Sequence, residues 1–438
     1  GIRHPLWSRG LGDVYKRQRK FWRFYGEVSL WVCNLAMIGV ALLVILAFIT
    51  SIFNPVDTPP PSASELVAIP GLNPVIPLWW GLIGFIVALV IHEFGHGLLA
   101  RGHGMRIRSF GLLQLGPLPL GAFAEPQAEE LFKAPRKERQ RMFAAGPATN
   151  LFAAFAILLL LGGLAAQFST NDQTIHVRGI VKDQPADNAG MEPWDVIATI
   201  NGTEVVGLDG FRTLMDNHQA GENITVGVIH DNGVSENLTI TLGDKYQHYL
   251  SEGYSKSNLE ILEVEPGDAF LGVEGMAQNT AGIDRLAGPL SPNKDFTLLE
   301  RALLTPIHVI QVMILPFESQ GVAMAPAEEA MLETDDGWIS TILGKEGLLF
   351  MVNLLFWIMW VNILLGFTNL IPMVPFDGGH MFKDMVHAGL SRFRAVGRKL
   401  KLWNFHPMWI DHWSRKASSY SSVMILFALL FTIFMPYF

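Results

Sequence analysis

Apolar runs too long for an ordinary soluble core alternate with polar stretches along the chain. Residues 30–53, 76–100, 144–168 and 347–373 are each long enough to cross a hydrocarbon core as a helix, which takes about 20 apolar residues. A further run at 423–438 ends the sequence. Residues 302–317 are also apolar, but the stretch is short and carries Pro306 and Pro316, so it reads as a re-entrant or interfacial segment. Between residues 174 and 243 the pattern changes. Short β-branched runs (HVRGIV, DVIATINGTEV, NITVGVI, NLTITL) are separated by Gly, Asn and Asp, with one helical stretch at 208–218. That alternation predicts a small, half-open β-barrel inserted between membrane helices.

Composition agrees with this division. Half of the 438 residues are apolar and 16% are charged, against about 25% charged in a soluble domain. A net charge of −8, with no basic patch interleaved with aromatics, speaks against nucleic-acid binding. The single cysteine, Cys33, excludes an intramolecular disulfide and a cysteine-based metal cluster. Residues 8–18 (SRGLGDVYKRQ) resemble translated linker sequence, so residues 1–18 are set aside from fold reasoning. Eight Lys and Arg lie between Arg101 and Arg141, and eight more between Lys383 and Lys416. The positive-inside rule puts both loops in the cytoplasm and the acidic region 172–295 outside.

The chemistry is concentrated in His92-Glu93-Phe94-Gly95-His96. Residues four apart share one helical face, so both imidazoles can reach one metal ion while Glu93 stands beside them as a proton acceptor. Three ionisable or polar groups inside an apolar helix need compensation, which makes them functional rather than incidental. A catalytic zinc usually keeps three protein ligands and one open position. The third can come from Asp377, in Asn369-Leu-Ile-Pro-Met-Val-Pro-Phe-Asp377-Gly-Gly at the end of the fourth run, where Pro372 and Pro375 break the helix. The alternative is that Asp377 merely ends that helix. His380 follows the glycines and reads as a hydrogen-bonding or solvent-facing group, not a ligand.

HEFGH in one helix and NLIPMVPFDGG in a later one resemble the site-2 protease family of intramembrane metalloproteases. Three more stretches carry the likeness. Residues 104–125 resemble that family's membrane-associated β-hairpin, and AGPATN at 145–150 resembles the start of its second core helix. HVRGIVKDQPADNAGMEPWDVIATINGTEV resembles a PDZ domain, although Trp194 stands where such domains carry a glycine. The resemblance implies a multi-pass α-helical membrane protein with a membrane-associated β-hairpin and an inserted small, β-rich PDZ-like domain. It implies one catalytic Zn2+ held by His92, His96 and Asp377, with Glu93 as general base. Asn369, Pro372 and Pro375 would hold an extended substrate strand, and Gly179 and Ile180 would form the PDZ peptide groove, in a domain that either captures a peptide or acts as a steric filter against substrates with bulky outer domains. Asn150 would make a structural polar contact between helices. Substrates would be single-span membrane proteins cleaved in or next to their membrane segments. The metal centre would lie near the cytoplasmic side of the cell membrane and the PDZ-like domain outside.

The expected organisation is an N-terminal helix and outer loop (19–75), two core helices with the hairpin (76–168), and the PDZ-like domain (174–243). There follow an outer linker region (244–346), a third core helix (347–390) and a basic loop with a last helix (391–438). Two other readings are a catalytically silent membrane scaffold and a metal-ion transporter. The scaffold does not explain an intact Glu93, and the transporter requires ionisable groups along a path where these gather at one depth.

Overall fold

The computed structural model describes residues 6–437 except 55–60, 63, 116–117, 127, 172, 231–232, 278 and 320. Most of the Pro-rich loop at 54–64, the tip of the hairpin and the first five residues of the set-aside segment therefore lie outside the described residues. From Leu6 onward that segment is the beginning of a helix, α1 (Leu6–Phe53).

Six described helices are long and apolar enough to cross a membrane. Besides α1 they are α2 (Leu78–Gly102), α3 (Arg136–Ala165), α5 (Leu298–Glu318), α6 (Trp338–Asn369) and α8 (Pro407–Phe434). The stretch expected at 302–317 as a short re-entrant segment is thus a 21-residue helix, α5. Its prolines do not stop it: the helix begins four residues before Ala302, at Leu298, and runs through Pro306 and Pro316 to Glu318. A short helix α4 (Gly207–Met215) belongs to the insert, and α7 (Asp377–Leu400) is the basic helix that precedes α8.

The chain divides into two compact units. The first holds the residues up to Leu159, Val309–Gly321 and Asn353–Phe438. Helix α2 is its pivot. Its buried positions Gly84, Ala88, His92, Gly95 and Leu99 recur every three or four residues, so one face is a stripe of mostly small side chains. A Cβ on Gly95 would stand 2.7 Å from the Ala145 carbonyl of α3, and one on Gly84 3.0 Å from the Trp357 carbonyl of α6. Neighbouring backbones therefore come closer to α2 than any larger side chain permits. Lys137 and Arg141 of α3 both reach Glu27 of α1. Directly after α2 the chain forms an antiparallel hairpin, β1 (Ile107–Leu115) with β2 (Leu118–Pro126), with register irregularities next to Ile107 and Leu113.

The second unit holds Leu160–His308 and Val322–Val352. Its sheet is ordered β8-β4-β5-β6-β7, from β4 (His176–Ile180), β5 (Val196–Ile200), β6 (Asn223–Ile229), β7 (Ser235–Thr241) and β8 (Val273–Ala277). Val177, Ile197, Ile200, Val226, Val228, Leu238 and Ile240 fill its core, and α4 adds Phe211 and Met215. The edge strand β8 comes from beyond residue 243 and pairs antiparallel with β4. Trp194 sits at φ 75°, the left-handed conformation a glycine would take there. The turn that the missing glycine put in doubt is thus kept, at a steric cost. His230, at the end of β6, places Nδ1 2.7 Å from Oδ1 of buried Asp195. A two-stranded pairing joins β3 (Phe168–Thr170), just after α3, to β9 (Leu332–Thr334), just before α6.

Candidate metal centre

The site forms where three helices present irregular or small residues to one another. Helix α2 supplies His92 and His96 one turn apart. Asp377 is the first residue of α7, where the exposed N–H groups of a helix start favour a carboxylate. The two imidazole Nε2 atoms are 3.1 Å apart, and Asp377 Oδ2 lies 3.3 Å from that of His92 and 3.2 Å from that of His96. Residues some 280 positions apart in the sequence thus close a small triangle of donor atoms. Donors bound at 2.0–2.2 Å to a tetrahedral zinc stand about 3.3 Å apart, so this triangle has the size that such an ion requires.

The surroundings of the two imidazoles differ. Nδ1–H of His96 donates to the Met142 carbonyl of α3 at 2.8 Å, which leaves the Nε2 lone pair facing the triangle. His92 is 5% exposed, and its Nδ1 has no partner among the described residues. Gly146 of α3 lies directly against the pair: a Cβ there would stand 2.4 Å from His96 Nε2 and 2.6 Å from His92 Nε2. The sequence places Gly146 only within a helix start; its contact with both ligands is visible only in three dimensions. Gly378 and Gly379 do what their position after Asp377 suggests. A Cβ on either would meet the backbone of residues 370–374 at 2.5 Å.

The loop from Leu370 to Phe376 is irregular backbone next to a membrane helix, which is tolerated only when its polar groups are satisfied. Serines of α8, unmarked in the sequence, do this. Ser421 Oγ donates to the Pro372 carbonyl at 2.7 Å, and Val374 N–H donates to Ser422 Oγ at 3.0 Å. Ser418 Oγ reaches the Gly379 carbonyl at 3.4 Å. Asn369 ends α6, with its side-chain amide donating to the Leu365 carbonyl at 3.0 Å. Pro372 lies in the loop, and Pro375 comes just before Phe376, which caps α7. Glu93 is half-buried and stands roughly 60° from His96 around the α2 axis, as three residues at 3.6 per turn require.

Other expected positions fall elsewhere. Asn150 is fully buried, but neither its Oδ1 nor its Nδ2 has a hydrogen-bond partner among the described residues, so the expected polar contact between helices is not made. His380 stacks on Phe143, with centroids 4.7 Å apart and planes 10° from parallel. Gly179 and Ile180 do not line the groove of the insert. They are paired with Glu274 and Val273 of β8, which occupies the sheet edge instead. The groove, a cavity of about 500 Å3, lies between α4 (Phe211, Met215) and β8 (Val273, Met276).

An uncharacterized protein of Methanocaldococcus jannaschii is 23% identical over 399 residues, covering 90% of this chain and 81% of its own. A protein of Neisseria meningitidis, named as a candidate zinc metalloprotease, is 28% identical over 277 residues, or 50% of this chain and 60% of its own. Another so named, from Mesorhizobium japonicum, is 22% identical over 351 residues, 70% of this chain and 87% of its own. Among solved structures, the PDZ domain of the SdrC-like protein of Listeria monocytogenes aligns with 24% of this chain and 88% of its own, at 18% identity and a TM-score of 0.18. The model of peptidase family M50 matches residues 80–399, a span that takes in both histidines, Glu93 and Asp377. This multi-pass membrane chain belongs to peptidase family M50.

Proposed function

We propose that the chain is an intramembrane zinc endopeptidase that cleaves membrane proteins, single-span ones above all, in or next to their membrane segments. The observation that carries this reading is the triangle of His92, His96 and Asp377 at 3.1–3.3 Å, built between the apolar helix α2 and the start of α7. One zinc ion fits it, and when bound supplies Lewis acidity at its open fourth position. The residues of the chain do the rest. Glu93 takes a proton from the attacking water and returns it to the leaving nitrogen. Asn369 and the loop through Pro372 and Pro375 hold the substrate strand extended, since a helical peptide bond is shielded from attack.

The basic loops after α2 and around α7 support a cytoplasmic position for the metal centre, with the PDZ-like insert (residues 174–243 with strand β8) outside. The pairing of β3 with β9 supports the same topology. It brings the end of α3 and the start of α6 to one place, so the chain between them leaves and rejoins the bilayer on one side. Helix α5, although long enough to cross, then makes no net crossing. In the insert, β8 is an edge strand beside the groove, which favours capture of an extended peptide by strand addition.

The test is cleavage of a model single-span substrate by the full chain in proteoliposomes. Cleavage should be abolished by a zinc chelator and restored by added zinc. Glu93→Gln should bind zinc and not cleave. A Glu93→Gln variant as active as the wild type would refute Glu93 as the proton acceptor, and zinc binding with no cleavage of any membrane substrate points to the scaffold reading.

A further inference from the structure

Behind the wall formed by the stacked Phe143 and His380 lies a cavity of about 680 Å3, between the start of α3, helix α7 and the start of α8. Its volume falls in the roughly 300–1,000 Å3 range of small-ligand sites. Its charge is unbalanced. Asp384, 3% exposed, is held by both arms of Arg139, at 2.9 and 2.6 Å, and Asp411 is held by His387 at 2.6 Å. Both acids that line the cavity are thus engaged. Arg136 and Lys383 have no acidic partner among the described residues, and Arg415 donates only to the Asp411 carbonyl. Three cations therefore face a space with no free anion.

Aromatic residues mark the depth of this space. Phe393, Trp403, Phe405, Trp409 and Trp413 form a continuous ladder with centroid spacings of 4.5–6.1 Å where α7 passes into α8. Trp409 and Trp413 are about 40% exposed; they flank Asp411, and Arg415 follows two residues after Trp413 on the same helix. Further along α8, Val423 and Phe427 are exposed and apolar. Tryptophans at the start of an apolar span sit at the headgroup level of a bilayer.

We infer that the cavity of Arg136, Lys383 and Arg415 binds the phosphate of an anionic phospholipid headgroup beside the metal centre. Guanidinium and ammonium groups converging on one space suit a phosphate, and the aromatic ladder puts that space where headgroups lie. The inner flank of a membrane substrate does not suit it, because such flanks carry Lys and Arg on a cytoplasmic side and the cations would repel them. Free phosphate has the same chemistry without the anchoring chains.

The detergent-purified full chain, titrated with phosphatidylglycerol, phosphatidylcholine or inorganic phosphate and followed by native mass spectrometry, tests this. Phosphatidylglycerol should be retained more tightly than phosphatidylcholine. Arg136→Gln with Lys383→Gln should weaken its retention by about tenfold or more, the effect of losing charge-assisted hydrogen bonds. Arg136→Lys with Lys383→Arg should keep it, which separates charge from folding. Arg398→Gln with Lys399→Gln, on the exposed face of α7 outside the cavity, should also keep it. Inorganic phosphate that binds with the same variant dependence, while phosphatidylglycerol does not, assigns the site to free phosphate. Retention of phosphatidylglycerol unchanged in the cavity pair, equal loss in the outer pair, or binding of an acidic peptide in place of both phosphates overturns the inference.

Discussion

Gly146→Ala adds one methyl group to the closest backbone approach in the metal centre. A Cβ at residue 146 would stand 2.4 Å from His96 Nε2, and an ordinary contact begins at 3.4 Å, so about 1 Å of displacement must be found. Metal–ligand distances tolerate roughly 0.2 Å. The imidazoles cannot yield that much and still share an ion with Asp377. Helix α3 cannot back away freely either, because Gly95 of α2 is packed against the Ala145 carbonyl and the Thr149 hydroxyl. Overpacking of this kind costs about 1–3 kcal/mol in stability. Metal binding should suffer more. Loss of a supporting residue around a metal ligand weakens affinity by about 10–100-fold, and moving the ligands themselves should reach at least the upper end of that range. The assay is competition for zinc against a chelator of known affinity, with thermal unfolding of the metal-free chain as the control. A Gly146→Ala chain that binds zinc as tightly as the wild type and cleaves substrate normally would refute the packing described here.

Trp194→Gly should stabilise the insert by about 1 kcal/mol, since a bulky residue at φ 75° bears left-handed strain; a loss on chemical denaturation would mean that ring packing outweighs it. The Asp195 carboxylate, hydrogen-bonded to His230, raises the imidazole pKa above its ordinary value. A raised folded pKa contributes stability that is full below about 6.5, the unfolded value, and is lost as pH rises through the folded one. His230→Gln should therefore cost the insert more protection from limited proteolysis at pH 6 than at pH 9, and an equal cost at both would exclude the linkage. Ser421→Ala with Ser422→Ala removes two hydrogen bonds from the loop that ends in Asp377, worth about 1 kcal/mol each. Zinc affinity or turnover should fall by up to about 30-fold, and an unchanged double variant would show that the loop holds its shape without α8.

The parts of this site legible in the sequence are those set by local spacing. HEFGH places two imidazoles on one face because a helix repeats every 3.6 residues. Asp377 could be singled out because prolines and glycines mark a break at the end of an apolar run. Contacts between helices left no such trace. Gly146 and the α8 serines look like ordinary small or polar residues of membrane helices, and their role depends on which backbone they meet. The groove of the insert lies away from Gly179 and Ile180 for a related reason. Strand β8 follows β7 by some 30 residues of other structure and then returns to pair with β4, so the true edge could not be found by reading from residue 174 to 243. At Trp194 the missing glycine put the local turn in doubt, yet the backbone takes the left-handed conformation there. Helix α5 differs from its forecast because it runs through both prolines and starts before the charged pair Glu300 and Arg301 that bounds the apolar run.

The central claim is that His92, His96 and Asp377 share one zinc ion, and zinc K-edge X-ray absorption on the purified full chain tests it most directly. One zinc per chain, with two imidazole nitrogens and oxygen in its shell at 2.0–2.2 Å, and a shell altered by Asp377→Asn, is the result expected. Two ions per chain, sulfur in the shell, or a spectrum and affinity indifferent to Asp377→Asn would contradict it.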